Sequence, residues 1–130
     1  MASFKKTIFP TAFFIFVVFL VYVWTTQPQW AIDFVDSCRE IGINVPIIPG
    51  LKPIKNLNHI TFLPKFFKID FPNELSKELL KCKDNKAVEQ VGIEWGINQS
   101  RELKANKVPC IHYYTMSNSS SVKAIAKEVF

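Results

Sequence analysis

Two short apolar runs set the strongest constraint on how this chain can fold. The first, Ile43–Ile48, ends at Pro49-Gly50, and the second is Val108–Met116. Apolar runs of this length are typical of strands that are buried on both faces of a sheet. Because helical segments surround both runs, we predict parallel strands joined by right-handed crossovers, and therefore an α/β fold. Two such strands cannot cover their own faces and edges, so the pattern calls for further strands.

Two helices are predicted before and after the first run. One begins at Gln27-Pro28, where proline suits the first turn, and ends at Gly42. The other covers Ile54–Leu63 and ends near Pro64. The inward-facing residues predicted for the first helix recur at helical spacing and are Ala31, Phe34, Val35, Cys38 and Ile41.

Three more helices are predicted in the second half of the chain. A short one begins near Asp70 and places Leu75, Leu79 and Cys82 inward, and a last one follows a polar turn at residues 117–121. Between them lies a longer helix that Asp84 is expected to cap. Its predicted inner face consists of Val88, Val91, Trp95, Gln99 and Leu103, and its four-spaced glycines, Gly92 and Gly96, indicate close packing.

The N-terminal segment has a different composition from the rest of the chain. No charged side chain occurs between Lys6 and Asp33, and residues 8–24 are almost wholly apolar. Such a run favours insertion into a bilayer, with Lys5 and Lys6 as a cytoplasmic flank. Residues 1–28 are therefore predicted to be a hydrophobic leader that acts as a transmembrane signal-anchor. The alternative is a buried barrel strand and helix.

Charge and cysteine content exclude several classes of site. The net charge of +5 comes from lysines spread along the chain, which predicts a solvated surface and no nucleic-acid partner. The three cysteines lie far apart, without a C-x-x-C motif or a histidine pair, so no metal site is expected. We interpret them as reduced packing residues, with one disulfide and one free thiol as the alternative.

The two predicted strand regions also carry a family signal. Residues 38–54 read C-R-E-I-G-I-N-V-P-I-I-P-G-L-K-P-I, and residues 108–116 read V-P-C-I-H-Y-Y-T-M. Both resemble the methylenetetrahydrofolate reductase family, the first at its barrel strand seven and the second at strand eight. The resemblance covers residues 29–130. It implies the C-terminal part of a (β/α)8 TIM barrel, with about two parallel strands and flanking helices, preceded by a hydrophobic N-terminal helix.

The resemblance also implies an activity. The family reduces 5,10-methylenetetrahydrofolate to 5-methyltetrahydrofolate in cytoplasmic one-carbon and methionine metabolism, with FAD passing a hydride from NAD(P)H. Tyr114 matches a substrate-contacting tyrosine, and Leu63 matches an apolar position near the pterin or nicotinamide. Each has a structural alternative, since Tyr114 could be a core tyrosine at the barrel rim and Leu63 an ordinary core residue. His112 is interpreted as a structural hydrogen-bonding residue.

Departures from the family pattern limit what the chain is expected to do alone. The family's basic residue after strand eight, which meets the acidic tail of the folate, is replaced here by Ser117-Asn118-Ser119. The catalytic glutamate and the FAD-contacting residues of earlier strands have no counterpart. No catalytic residue is therefore assigned, and this chain alone is not expected to bind FAD or NAD(P)H.

Three hypotheses for the chain follow. The leading one is a truncated, inactive fragment of a reductase. A second is a single-pass membrane protein whose α/β part serves as an interaction module, inserted through residues 8–24. A third is a piece that closes the barrel with a separate, complementing N-terminal portion.

Overall fold

A computed structural model describes residues 28–67, 71–115 and 118–130 of the chain. The elements in chain order are α1 (Pro28–Glu40), β1 (Gly50–Leu51), α2 (Asn58–Phe67), α3 (Asn73–Leu80), α4 (Asn85–Ala105), β2 (His112–Tyr113) and α5 (Ser120–Val129). The predicted leader, residues 1–28, lies almost entirely outside the described part. Among the described residues, none of the helices has the length and apolar character needed to cross a bilayer.

The two strands are parallel, as predicted. Gly50 pairs with His112, and Leu51 pairs with Tyr113. The amide of His112 donates to the carbonyl of Pro49 at 2.7 Å, and the amide of Tyr114 donates to that of Leu51 at 2.8 Å. A parallel pair with helices between its strands is an α/β arrangement, which confirms the predicted fold class at that level.

The predicted position of the first strand was wrong. The run Ile43–Ile48 makes no strand, and the pairing begins only at Gly50. Pro46 and Pro49 have no amide hydrogen to donate to a ladder. The Arg39 guanidinium moreover donates to the carbonyls of Ile43 and Val45, the latter at 3.0 Å. These carbonyls therefore accept hydrogen bonds from a side chain and not from a neighbouring strand, and the chain first pairs in the sheet at Gly50.

The second strand lies within its predicted range but is far shorter. Only His112–Tyr113 pairs, and the preceding Pro109 and Cys110 are exposed. A proline has no amide hydrogen to donate to a ladder, and β1 is itself only two residues long, so the pairing stays short. Met116, the predicted end, lies outside the described residues.

The end of α1 confirms the predicted role of Gly42. This glycine has φ +84°, a left-handed conformation that L side chains rarely adopt. Its amide donates to the carbonyl of Arg39 at 3.0 Å, and that of Ile43 donates to the carbonyl of Cys38 at 2.8 Å. The two bonds form the double closure known as a Schellman motif. Cys38 is buried, as predicted, whereas Ile41 is 73% exposed.

The predicted bounds of α2 were wrong by four residues at each end. The helix covers Asn58–Phe67 and contains Pro64 in its interior. Residues 54–57 are not helical, because the backbone of Ile54 packs directly against Gly92 of α4. Leu63 is 1% exposed and anchors the buried face of α2, so the helix tolerates the missing amide hydrogen of Pro64.

Helices α3 and α4 agree with the prediction. Asp84 caps α4, with a carboxylate oxygen 2.8 Å from the amide of Ala87. The main core cluster joins α2, α3 and α4 through Ile54, Leu63, Leu75, Leu79 and Val88, with Cys82, Val91 and Trp95 partly buried against it. A second cluster lies behind the sheet, where Leu51 and Leu103 contact Val108, Ile111 and Tyr113.

Helix α5 packs along α4, and its Ile125 lies against Gly96. Ser121, Ile125 and Val129 form its buried face, while Val122 and Ala126 are half-buried. The three cysteines are free, as predicted, but only Cys38 is buried and Cys110 is exposed.

Candidate functional site at the carboxyl ends of the strands

The carboxyl ends of the two strands lie at the same edge of the sheet because the strands are parallel. Lys52 directly follows β1, and Tyr114 directly follows β2. In parallel α/β folds this edge is where side chains from several loops meet and where ligands bind. The candidate site is therefore built from the connections that leave β1 and β2.

Tyr113 shows which face of the sheet the helices cover. Its hydroxyl lies 2.7 Å from the Ser100 hydroxyl of α4, which is itself 2.6 Å from the carbonyl of Gly96. Since Ser100 donates to Gly96, Tyr113 donates to Ser100. Burial raises the pKa of Tyr113, and the hydrogen bond between Tyr113 and Ser100 is the smaller, opposing cause.

Tyr114 belongs to the opposite face because side chains alternate along a strand. Its ring contacts the edge of the His112 ring, with the centroids 4.5 Å apart. His112 is exposed and Tyr114 is half-buried. The structure thus places Tyr114 at a strand end, on the face away from α4.

The other predicted substrate-binding residue, Leu63, lies in a different environment. It is 1% exposed and packs in the main core cluster with Ile54, Leu75, Leu79 and Val88. This packing corresponds to the core alternative considered for Leu63. Tyr114 lies outside that cluster, and the structure does not bring the two residues into one core.

A contact that the sequence did not indicate joins the two strand connections. The Lys55 ammonium donates to the carbonyl of Asn118 at 2.6 Å, across 63 positions of sequence. Glu89 of α4 holds the same region, because its Oε1 accepts hydrogen bonds from the Ser120 and Ser121 hydroxyls at 2.8 and 2.6 Å. The hydrogen bond from Ser121, followed by that from Ser120, lowers the pKa of Glu89. Burial opposes this shift, and the positive charge of Lys55 lowers the pKa slightly further.

His59 lies in the first turn of α2, next to this contact. The backbone amide of Lys55 lies 3.5 Å from its Nδ1, and the side-chain amide of Asn56 lies 3.3 Å from its Nε2. Burial lowers the pKa of His59, and the charges of Lys52 and then Lys55 lower it further. The imidazole is therefore held neutral. With Nδ1 as the acceptor, Nε2 carries the proton, and turning the Asn56 amide by 180° would bring its Oδ1, which has no partner among the described residues, to accept from Nε2.

The cavities near these residues are small or lie elsewhere. The space behind β1, lined by Leu51, Ile54, Trp95 and Gln99 among others, holds about 10 Å³, no more than one water. A groove of about 280 Å³ lies between α1 and residues 106–109, before β2 begins. Neither space fits the flavin that the resemblance implies, so we derive no step through that group from these residues. Within the described part of the chain, no set of three metal-ligating side chains comes together.

Comparisons with known proteins give the same family signal as the strand motifs. The family model named Methylenetetrahydrofolate reductase matches residues 20–129. The chain is 36% identical to Methylenetetrahydrofolate reductase (NADH) 1 of Zea mays over 95 residues, or 72% of this chain and 16% of the relative. It is 39% identical to the probable methylenetetrahydrofolate reductase (NADPH) of Caenorhabditis elegans over 98 residues, which are 74% of this chain and 15% of the relative. The chain thus spans about a sixth of the length of these curated relatives.

Proposed function

Because the chain belongs to the methylenetetrahydrofolate reductase family, we propose that it supplies the last two strands of a catalytic barrel that reduces 5,10-methylenetetrahydrofolate. In this proposal residues 29–130 provide strands seven and eight of a (β/α)8 barrel. The earlier strands come from other residues and carry the flavin and the reduced nicotinamide cofactor, NAD(P)H. The described residues act by binding and orienting the folate.

The observation that carries this proposal is the two-stranded parallel sheet. The amides of His112 and Tyr114 point toward β1, so the intervening amide of Tyr113 points away from it. By the same alternation, Gly50 has backbone groups that point away from β2. Among the described residues, this parallel pair of two-residue strands leaves both outer edges unpaired, and further strands would pair with them.

Tyr114 is the residue that we propose contacts the folate. Its position at the carboxyl end of β2, on the face away from α4, supports this role, because barrel enzymes bind substrates at that end. The half-buried ring offers an apolar face for a planar pterin, and its hydroxyl can donate or accept a hydrogen bond. For Leu63, substrate contact rests on the resemblance alone, and its packing supports a core role.

Complementation tests the proposal directly. The full chain would be expressed alone and together with the N-terminal barrel portion of the Zea mays relative, and each preparation freed of unbound FAD. We expect a flavin absorption band and reductase activity only in the co-expressed complex. Tyr114→Phe should retain the flavin band and raise KM for the folate, whereas Tyr113→Phe, on the opposite face of β2, should leave that KM unchanged. A colourless, inactive complex would contradict the proposal.

A second candidate is a membrane-anchored interaction module. It is favoured by the uncharged stretch between Lys6 and Asp33, most of which lies outside the described residues. Alkaline extraction of membranes distinguishes the two candidates. A spanning chain stays in the membrane pellet, whereas a barrel component without an anchor is released.

A further inference from the structure

A groove of about 570 Å³ runs between α4 and α5, on the side of α4 that faces away from the sheet. Ser100 and Leu103 of α4 are buried against residues of the two strands. Glu94 and Arg101, which border the groove, are exposed. Because the helices of a (β/α)8 barrel form its outer ring, the groove would remain on the outside of the proposed barrel.

The groove has an apolar floor and a polar rim. Ile93, Ile97 and Ala124 are half-buried at the floor. The exposed side chains of the lining are all polar and are Gln90, Glu94, Asn98, Arg101, Lys127 and Glu128. The outward face of a surface helix is ordinarily polar, so two isoleucines there call for a cover. An apolar centre with a polar rim is typical of protein–protein interfaces.

Glu94 and Arg101 give the rim a charge pattern that complements itself. They carry opposite charges and are separated by seven positions, or about two helical turns, so they lie on one stripe of α4 roughly 10 Å apart. At that separation they cannot pair with each other. The Oε1 of Glu94 accepts from the side-chain amide of Gln90 at 2.8 Å, and Arg101 makes only a long contact of 3.4 Å to the carbonyl of Glu128.

A two-fold axis would satisfy both charges at once. Ile97 lies midway between Glu94 and Arg101 on the same helix. If two copies of α4 cross antiparallel about an axis near Ile97, Glu94 of each copy meets Arg101 of the other, and the two Ile97 side chains pack together. A surface that is complementary to itself in this way is what an isologous dimer requires.

We propose that a second copy of this chain docks in the groove between α4 and α5, forming a two-fold symmetric dimer with two reciprocal Glu94–Arg101 ion pairs. The floor isoleucines supply the apolar contact, and the ion pairs fix the register. The inference goes beyond the proposed reductase role and does not depend on it, because α4 and α5 form the groove without further strands.

Charge reversal tests the register. Analytical ultracentrifugation of the full chain should show a dimer. Glu94→Arg and Arg101→Glu each place like charges together at both ends of the contact, so each should raise the dimer dissociation constant at least about tenfold. Glu102→Arg makes the same change as Glu94→Arg at an exposed position of α4 outside the groove, and it should change the constant less than about twofold.

Mixing the two single variants distinguishes this groove from any other contact between copies. Glu94→Arg and Arg101→Glu in equal amounts should form a mixed dimer about as tight as that of the unsubstituted chain, because every charge then meets its opposite. The variant that carries both changes should dimerise with itself for the same reason. Recovery in either case also shows that the variants are folded, which circular dichroism checks independently.

Three results would overturn the proposal: an unsubstituted chain that is monomeric, single variants that dimerise unchanged, and a mixture that does not recover. None of these measurements uses flavin or turnover. Failure here therefore leaves the complementation result standing, and failure of complementation leaves the dimer standing.

Discussion

At the scale of single residues, Gly92 and Gly96 decide how closely α4 approaches its neighbours. A Cβ at Gly92 would lie 2.9 Å from the carbonyl carbon of Ile54 and closer still to its oxygen. A Cβ at Gly96 would meet the side chain of Ile125, at 2.6 Å from its Cδ1 and 3.4 Å from its Cγ1. Backbone atoms cannot move aside as a side-chain end can. The two glycines are therefore unequal, although they look alike in sequence.

Alanine substitution should reveal this difference. In a helix interior, alanine is favoured over glycine by roughly 1 kcal/mol, so any loss of stability comes from the clash. We expect Gly92→Ala to destabilise the chain by about 2 kcal/mol or more and Gly96→Ala by about 1 kcal/mol or less. Chemical denaturation measures both.

A double variant isolates the clash at Gly96. Ile125→Val removes the Cδ1 atom that the new methyl group would meet. Gly96→Ala combined with Ile125→Val should therefore be more stable than the sum of the two single changes predicts. Strict additivity would show that the contact with Ile125 does not limit this position.

At the scale of elements, α4 is the helix against which the other helices pack and which supports the sheet. It runs for 21 residues, contacts α1, α3 and α5, and carries Ser100, the partner of Tyr113. Its N-terminus depends on Asp84, whose side chain accepts from the amide of Ala87. Disturbing this cap should weaken every contact that α4 makes.

Replacement of Asp84 tests the cap. Asp84→Ala should lower the free energy of unfolding by about 0.5–2 kcal/mol, because an amide of the first turn loses its acceptor. Asp84→Asn keeps an acceptor oxygen, so its free energy of unfolding should fall much less. Asp36→Ala, at an exposed site on α1, is the control. An alanine variant as stable as Asp84→Asn would argue against the cap.

The link between α4 and α5 is pH-dependent through Glu89. The serine hydrogen bonds lower its pKa in the folded chain, so the unfolded chain binds more protons in mild acid. The stabilisation from Glu89 is present above its ordinary pKa near 4.5 and is lost as pH falls through the lower folded value. Denaturation midpoints should therefore fall with acid in this window.

Glu89→Gln should flatten that acid dependence. The amide keeps an oxygen that can accept from Ser121, but it does not titrate. Glu40→Gln, at the exposed end of α1, should leave the slope as it is in the unsubstituted chain. An unchanged slope in Glu89→Gln would mean that other groups cause the acid sensitivity.

At the scale of the whole molecule, the sheet edges that no described residue pairs with indicate that β1 and β2 need further strands beside them. Hydrogen exchange can detect the missing neighbours. In the chain by itself we expect the amide of Tyr113 to exchange faster than those of His112 and Tyr114, which are bonded to β1. In a complemented barrel the Tyr113 amide should slow by at least about tenfold, as it gains a strand partner. An equal rate with and without the complement would contradict barrel closure at this edge.

The sequence predicted the features that depend on neighbouring residues. Gly42 ends α1, Asp84 caps α4, and Leu75 and Leu79 face the core, because capping and helical spacing are local properties. The family, read from the two strand motifs, was predicted equally well.

Only the tertiary structure decided where the strands pair and which polar groups meet. The run Ile43–Ile48 is rich in β-branched residues, as a strand would be, yet Arg39 binds two of its carbonyls and Pro46 cannot donate to a ladder. Helix α2 begins only at Asn58 and passes through Pro64, whereas the backbone of Ile54 before it lies against a glycine of α4. The contact of Lys55 with Asn118 joins residues 63 positions apart. Local spacing cannot encode such a contact, since it exists only once two parallel strands have brought their carboxyl ends to one edge.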